Sequence, residues 1–179
     1  MEQLIQISKI NDFLYSPKSL YLHSVYESFG ELLYHELPQR VGKSNHETIE
    51  DGSYSTRKDI LLGIPVYSER LGVVGKIDIY DGAAKKLIER KTRIKKIYDG
   101  HLFQLYAQYV AMLEAGYEIT SLALHSMADN KRYDIQFPSE LEIVRLEVLL
   151  KEMREWEPSE TFCETDRNSA ISIYRHLDI

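Results

Sequence analysis

The sequence predicts a mixed α/β (α+β) domain: a central sheet of mixed strand direction flanked by helices. Three observations predict it. The order of elements reads helix, strands, helix, hairpin, helix. Two β-type runs flank a turn signal at Asp81-Gly82-Ala83-Ala84. Two later stretches, 101–115 and 139–156, carry apolar residues at helical spacing. With 179 residues the chain can build one domain with a real core and scarcely two.

From the N-terminus, residues 8–28 place Ile10, Phe13, Leu14, Leu20, Tyr21 and Val25 at helical spacing, with Ser8 as a candidate cap and Pro17 as an interruption. Residues 28–42 are polar and hold Gly30, Pro38 and Gly42, so they read as connection with some helix. A short helix capped by Ser44 or Asn45 follows, carrying His46. Strands are expected at Ile60–Val66, broken by Gly63 and Pro65, and at Gly72–Tyr80 and Lys86–Ile94. In the helix over His101–Ala115, Leu102, Leu105, Tyr109, Met112 and Leu113 form one stripe, and Gly116 stands where a C-terminal cap belongs. Thr120–Met127 and Arg132–Phe137 read as a hairpin turning at Asp129-Asn130-Lys131. Ser139 with Glu142 forms a capping-box pattern before an amphipathic helix ending near Trp156. Residues 157–179 are polar with a weak apolar end, and neither repeats nor low-complexity segments occur.

Composition is that of an ordinary globular protein, 44% hydrophobic and 28% charged. The formal net charge of -6 argues against a protein that coats nucleic acid indiscriminately, but is compatible with a local basic track beside an acidic metal site. Thirteen tyrosines against five phenylalanines supply apolar rings with polar tips. The single cysteine, Cys163, excludes an internal disulfide and any four-thiolate site within one chain. Met1–Lys9 lacks a basic stretch followed by an apolar run, and no window has the length of a membrane span, so a cytoplasmic protein with no membrane partner is expected.

The chemistry-bearing pattern is Gly75-Lys76-Ile77-Asp78 followed by Glu89-Arg90-Lys91 on the next strand. Strand alternation puts Glu89 and Lys91 on one face. A hairpin loop centred on Gly82–Ala84 places Asp78 opposite Leu87, making Asp78 and Glu89 diagonal neighbours roughly 7–8 Å apart. Two such carboxylates repel unless one is protonated or a divalent cation lies between them. Hard oxygen ligands suit magnesium or manganese, and an added imidazole from His46 tilts the preference to manganese. Lys91 would orient the attacking water or neutralise charge growing on a phosphate. The pattern is loose on its own, and a surface hairpin with alternating charges would also carry it. His46 alone reads equally as a surface histidine, and Gln104, opening Gln104-Leu105-Tyr106-Ala107-Gln108-Tyr109, as a helix-surface amide.

Between Lys85 and Lys96 lie seven cations (Lys85, Lys86, Arg90, Lys91, Arg93, Lys95 and Lys96) against one acid, Glu89. Tyr98 and His101 follow. Together with Lys76, the residues Arg93, Lys95, Lys96 and Tyr98 form a candidate backbone track with an aromatic ring for base stacking. A solvated strand edge reads similarly.

His46, then Gly75-Lys76-Ile77-Asp78, then Glu89-Arg90-Lys91, then Gln104-x-x-x-Gln108, in this order, resembles the RecB-type nuclease module of the PD-(D/E)XK superfamily. The opening Ile7-Ser8-Lys9-Ile10-Asn11-Asp12-Phe13-Leu14-Tyr15-Ser16-Pro17 and the overall spacing resemble the CRISPR-associated nuclease of the adaptation module ("Cas-four"), in its variant from type V loci. The likeness runs from about residue 7 to 138.

It implies a restriction-endonuclease-like core in a single domain over 1–179: a helical part (1–45), the nuclease core (46–138), and a C-terminal helix and tail (139–179). It implies manganese or magnesium held by His46, Asp78, Glu89 and the backbone carbonyl of Arg90, with Lys91 catalytic and Gln104 completing the motif. It also implies an exonuclease that trims single-stranded overhangs of prespacers, takes part in PAM selection, and works with the CRISPR integrase and its small dimeric partner. Most members hold a [4Fe–4S] cluster on one N-terminal and three C-terminal cysteines. Here Ser16 stands at the first position and the tail offers only Cys163, so no iron–sulfur cluster is expected. Packing of Trp156, Phe162, Ile173 and Tyr174 against the N-terminal helices is expected to tie the ends instead. The tyrosine often closing the motif is replaced by Gln108. Two other readings stand beside the exonuclease: a weakly cutting PAM-recognition subunit of the integrase complex, and a stand-alone repair or phage nuclease.

Overall fold

A computed structural model describes residues 4–18 and 59–157. Its elements in chain order are β1 (Ile5–Gln6), α1 (Lys9–Tyr15), β2 (Ile60–Ser68), β3 (Val73–Asp81), β4 (Lys86–Lys91), α2 (Asp99–Glu114), β5 (Ser121–Ser126), β6 (Lys131–Ile135) and α3 (Glu140–Glu155). The predicted class holds: among the described residues the strands form one six-stranded mixed sheet, flanked by three helices.

β3 is the hub of the sheet. β2 runs antiparallel along one of its edges, from Ser68↔Val73 to Ile60↔Asp81. The other edge is shared: β1 pairs parallel at Val73 and Val74, and β4 pairs antiparallel only at Ile79, Tyr80 and Asp81. Between those contacts the edge of β3 from 75 to 78 is left without a strand partner, and this gap positions the site. β4 then pairs in parallel with β5 over its whole length, and β5 with β6 in antiparallel.

The main core lies under the helices, where Ile10 and Phe13 of α1, Leu105 and Met112 of α2, and Leu146 and Leu150 of α3 meet Tyr80, Leu87 and Leu122 of the sheet. A smaller cluster of Ile79, Ile88 and Ala123 lies on the opposite face. Ile77 and Ile79 should share a face, being two residues apart. They join different clusters, so the alternation breaks at Asp78. The ladder to β2 skips the same level: pairs form at Leu62↔Ile79 and Ile64↔Ile77, but Gly63, at φ 61, makes none. A left-handed residue inside a strand suits glycine and redirects the chain there.

Several local signals read from the sequence take their expected form. Ser139 and Glu142 make the capping box of α3. Gly116, at φ 84, ends α2: its N–H reaches Leu113 O at 3.0 Å and that of Tyr117 reaches Met112 O at 3.0 Å, the paired bonds of a Schellman cap. Other expectations are corrected. Ser8 precedes α1 but makes no side-chain cap, whereas the stop of the helix at Tyr15 agrees with the interruption expected at Pro17. β1 was not anticipated, because a two-residue strand has no period to read. Leu113, assigned to the buried stripe of α2, is exposed. β4 ends at Lys91 rather than Ile94, although Met127 N–H to Lys91 O and Ala128 N–H to Thr92 O keep the chain against the β5 end.

Of the aromatic set expected to tie the chain ends together, Trp156 meets Phe13 edge-on at 6.3 Å. Phe162, Ile173, Tyr174 and Cys163 lie outside the described residues, as do His46 and the helix expected around it. Ser16, where the resemblance leads one to expect a cysteine, is fully buried, and its N–H is bonded to Asp12 O. No helix among the described residues is long and apolar enough to cross a membrane.

Candidate active site

Asp78 lies in the gap on the β3 edge. Its Oδ2 accepts the backbone N–H of Arg90 at 2.8 Å, so the carboxylate takes over a backbone donor of β4 where the β3–β4 ladder has already ended. The expected pairing of Asp78 with Leu87 is not formed. Leu87 stands opposite Tyr80, because the turn spans the four residues 82–85, with Lys85 left-handed at φ 49. The slip equals two positions, so the register continued past the end of the ladder would set Asp78 level with Glu89 rather than diagonal to it.

Glu89 is the most enclosed acid of the site, 1% exposed against 4% for Asp78. Three donors hold it. Gln104 Nε2 reaches Oε1 at 2.8 Å, Gln108 Nε2 reaches Oε2 at 2.7 Å, and Lys91 Nζ lies 3.0 Å from Oε1. Lys91 also donates to Gln104 Oε1. Gln104 thus links acid and lysine, donating to one and accepting from the other. The amide orientations follow from this network, since turning either glutamine over would set an oxygen against a carboxylate oxygen.

Burial raises the Glu89 carboxyl above its ordinary range and the Asp78 charge adds to the rise, while Lys91 and the Gln108 hydrogen bond oppose it. Burial also lowers the His101 imidazole, and the Lys91 charge adds to that effect. Along α2, His101, Gln104 and Gln108 fall at the spacing of one helix face, and α2 is anchored across the sheet. Glu114 at its end accepts from Ser68 Oγ and, at 2.8 Å, from Glu69 N–H.

The structure therefore brings Asp78, Glu89, Lys91 and Gln104 together. It adds Gln108, which the sequence places in the Gln104-x-x-x-Gln108 pattern, at the position of a tyrosine, without giving it a role. The available signal was its spacing of four from Gln104, which puts both amides on one helical face. Arg90, between the two key β4 residues, turns away: its guanidinium meets Met127 Sδ at 3.1 and 2.7 Å.

The seven-cation run divides. Lys85 pairs with Glu118 at 2.6 Å and Lys86 with Asp134 at 2.7 Å. Arg93, Lys95 and Lys96 are exposed on the segment joining β4 to α2, with Lys96 Nζ 5.6 Å from the centre of the exposed Tyr98 ring. Tyr98 in turn meets His101 edge-on at 5.8 Å. Lys76 is exposed on β3, two residues before Asp78.

The donor set suits a hard divalent cation. Two carboxylates are buried beside one another against a single lysine, and the buried Gln108 Oε1 has no hydrogen-bond partner among the described residues. No group of three or more His, Cys, Asp or Glu side chains able to hold a metal occurs among the described residues. The expected third side-chain ligand, His46, lies outside them.

Over 77% of its length the chain is 26% identical to a Geobacter sulfurreducens protein described as a CRISPR-associated exonuclease Cas4/endonuclease Cas1 fusion. The chain is similar to a CRISPR-associated nuclease. It spans 26% of that relative, about a quarter of its length. The crystal structure of SSO0001 shares the fold, with a TM-score of 0.58 at 16% identity over 89% of this chain and 79% of that one. No protein-family model matches.

Proposed function

We propose that this chain is a Cas4-type, metal-dependent single-stranded DNA exonuclease of the PD-(D/E)XK superfamily, close to the variant from type V loci. Its task is to process prespacer ends and take part in PAM selection during CRISPR spacer acquisition. The observation that carries the proposal is the buried Asp78–Glu89 pair with Lys91 bonded to the second acid. Likeness to the Cas4/Cas1 fusion supports an integrase as partner; the small dimeric companion of the integrase and the cytoplasm complete the proposed setting.

Asp78, Glu89, the Arg90 carbonyl and His46 would hold manganese or magnesium. When bound, such an ion supplies Lewis acidity toward a phosphate oxygen and toward water. Lys91 then sets its ammonium against the charge that grows on the phosphate, and Gln104 fixes where that ammonium points. No [4Fe–4S] cluster enters this reading.

The test is cleavage of an end-labelled single strand with manganese, with and without a chelator. Wild-type protein should shorten the strand from an end and lose this activity in EDTA. Asp78→Ala should be at least about a hundredfold slower, since Asp78 is a proposed ligand. Equal cleavage by the two proteins would remove the site from the reaction.

Arg93, Lys95 and Lys96 are proposed to track the DNA backbone, with Lys76 beside the acids and Tyr98 offering a stacking face. Replacing Arg93, Lys95 and Lys96 together by alanine should lower the slope of log K against log salt by about 2, at roughly 0.7 per cation for a single strand. Fluorescence anisotropy in calcium, at several salt concentrations, measures it. An unchanged slope would place the backbone track elsewhere.

A further inference from the structure

We propose that Gln108 is a positioning residue for the metal site, holding the second oxygen of Glu89 so that the carboxylate is set before any cation arrives. The inference rests on the proposed function, because it concerns the ion that the site is read to bind.

The two ends of the Gln108 carboxamide are in opposite circumstances. Nε2 donates to Glu89 Oε2 at 2.7 Å and lies 3.5 Å from Lys76 O, at the open stretch of the β3 edge. Oε1 is buried and has no partner among the described residues. A buried acceptor left unmet is costly, and a methionine or leucine would fill the same space without that cost. The side chain is 1% exposed, so water at the surface does not compensate. Folding alone therefore does not account for a glutamine here.

Its contact with Glu89 does. Gln104 and Lys91 both address Oε1, leaving Oε2, among the described residues, to Gln108. Without that bond the carboxylate is held by one oxygen and can rotate about its last torsion, which is broad for a terminal carboxylate. A ligand that must be reoriented binds its cation less well than one already in place. Gln104 and Gln108 thus divide the labour along one face of α2: the first ties the acid to the lysine, the second fixes the acid's remaining oxygen.

The experiment titrates full-length protein with Mn²⁺, following the free aquo ion by electron paramagnetic resonance, for wild type and Gln108→Met. Thermal unfolding in EDTA is measured alongside. Methionine keeps the volume and removes both polar ends. The expected result is Mn²⁺ affinity weakened by about 10- to 100-fold, the range for removing a residue that orients a ligand, whatever the change in the unfolding midpoint in EDTA, which the loss of the donor to Glu89 Oε2 can itself lower. A purely packing role would instead lower that midpoint and leave affinity alone. Should the methionine variant fail to fold, Gln108→Asn, which stays polar but falls one methylene short, is read by the same titration and should weaken affinity in the same direction. Wild-type and variant affinities within twofold of each other would overturn the proposal while leaving the nuclease reading intact. Folded wild-type protein that takes up no Mn²⁺ would overturn the reading itself, and this inference with it.

Discussion

Lys91→Ala should slow manganese-dependent cleavage of a single strand by about 10²- to 10⁴-fold, the range for a residue that acts on the transition state, while binding Mn²⁺ at least as tightly as wild type. The split follows from where the ammonium sits. Lys91 Nζ lies 3.0 Å from Glu89 Oε1 and donates to Gln104 Oε1, so it adds positive charge beside the acid that would hold the ion. Removing it takes away a competitor for that oxygen and a repulsion toward an incoming cation. The same removal leaves charge growing on the phosphate without its neutralising partner. Binding and rate therefore move in opposite directions, which a variant that merely unfolded would not show. Single-turnover rates set against Mn²⁺ titrations measure both quantities. Cleavage within threefold of wild type would remove Lys91 from the chemistry.

How much of this was legible in the sequence depends on how local each signal is. The Ser139–Glu142 box and the Gly116 cap were readable because each is closed by residues a few positions apart. The pairing of Glu89 and Lys91 followed from strand alternation, and both do address the same Gln104. The β3–β4 register was not readable, because it turns on whether Lys85 adopts φ 49, a conformation its side chain does not announce. The gap on the β3 edge was equally hidden. It exists only because β1, two residues long, takes the far end of an edge that β4 leaves early. Gln108 was visible as a residue but not as a partner of Glu89, since that contact needs α2 laid across β4 at one height. The basic run looked like one track in sequence. Pairing of Lys85 with Glu118, of Lys86 with Asp134 and of Lys91 with Glu89, and the turn of Arg90 onto Met127, leave Arg93, Lys95 and Lys96 as its part without an ion pair among the described residues.

Glu89→Gln should make the metal-free protein more stable at neutral pH, by about 1–2 kcal/mol, and at the same time remove its response to manganese. In the folded chain the Glu89 carboxyl is raised by burial and then by Asp78. A raised acid binds its proton more tightly folded than unfolded. Its contribution to stability is therefore full below the ordinary carboxylate value and is lost as pH rises through the raised one. Metal-free wild type should lose stability over that interval, and the glutamine variant should show a flatter profile. The hydrogen bonds at this side chain can be kept. The new carboxamide oxygen can accept from Lys91 and Gln104, and its NH₂ can donate to Gln108 Oε1 once that amide turns over, which gives up the 3.5 Å contact of Gln108 Nε2 with Lys76 O. Urea denaturation in EDTA across pH, repeated with millimolar Mn²⁺, tests both halves. Manganese should raise the wild-type midpoint and leave that of the variant in place, because a ligand that binds only the folded state stabilises it by mass action. A variant less stable than wild type in EDTA would mean that the buried charge is not under strain. A wild-type midpoint indifferent to manganese would mean that the strain serves no cation, so the tension between Asp78 and Glu89 carries the link from sequence to function.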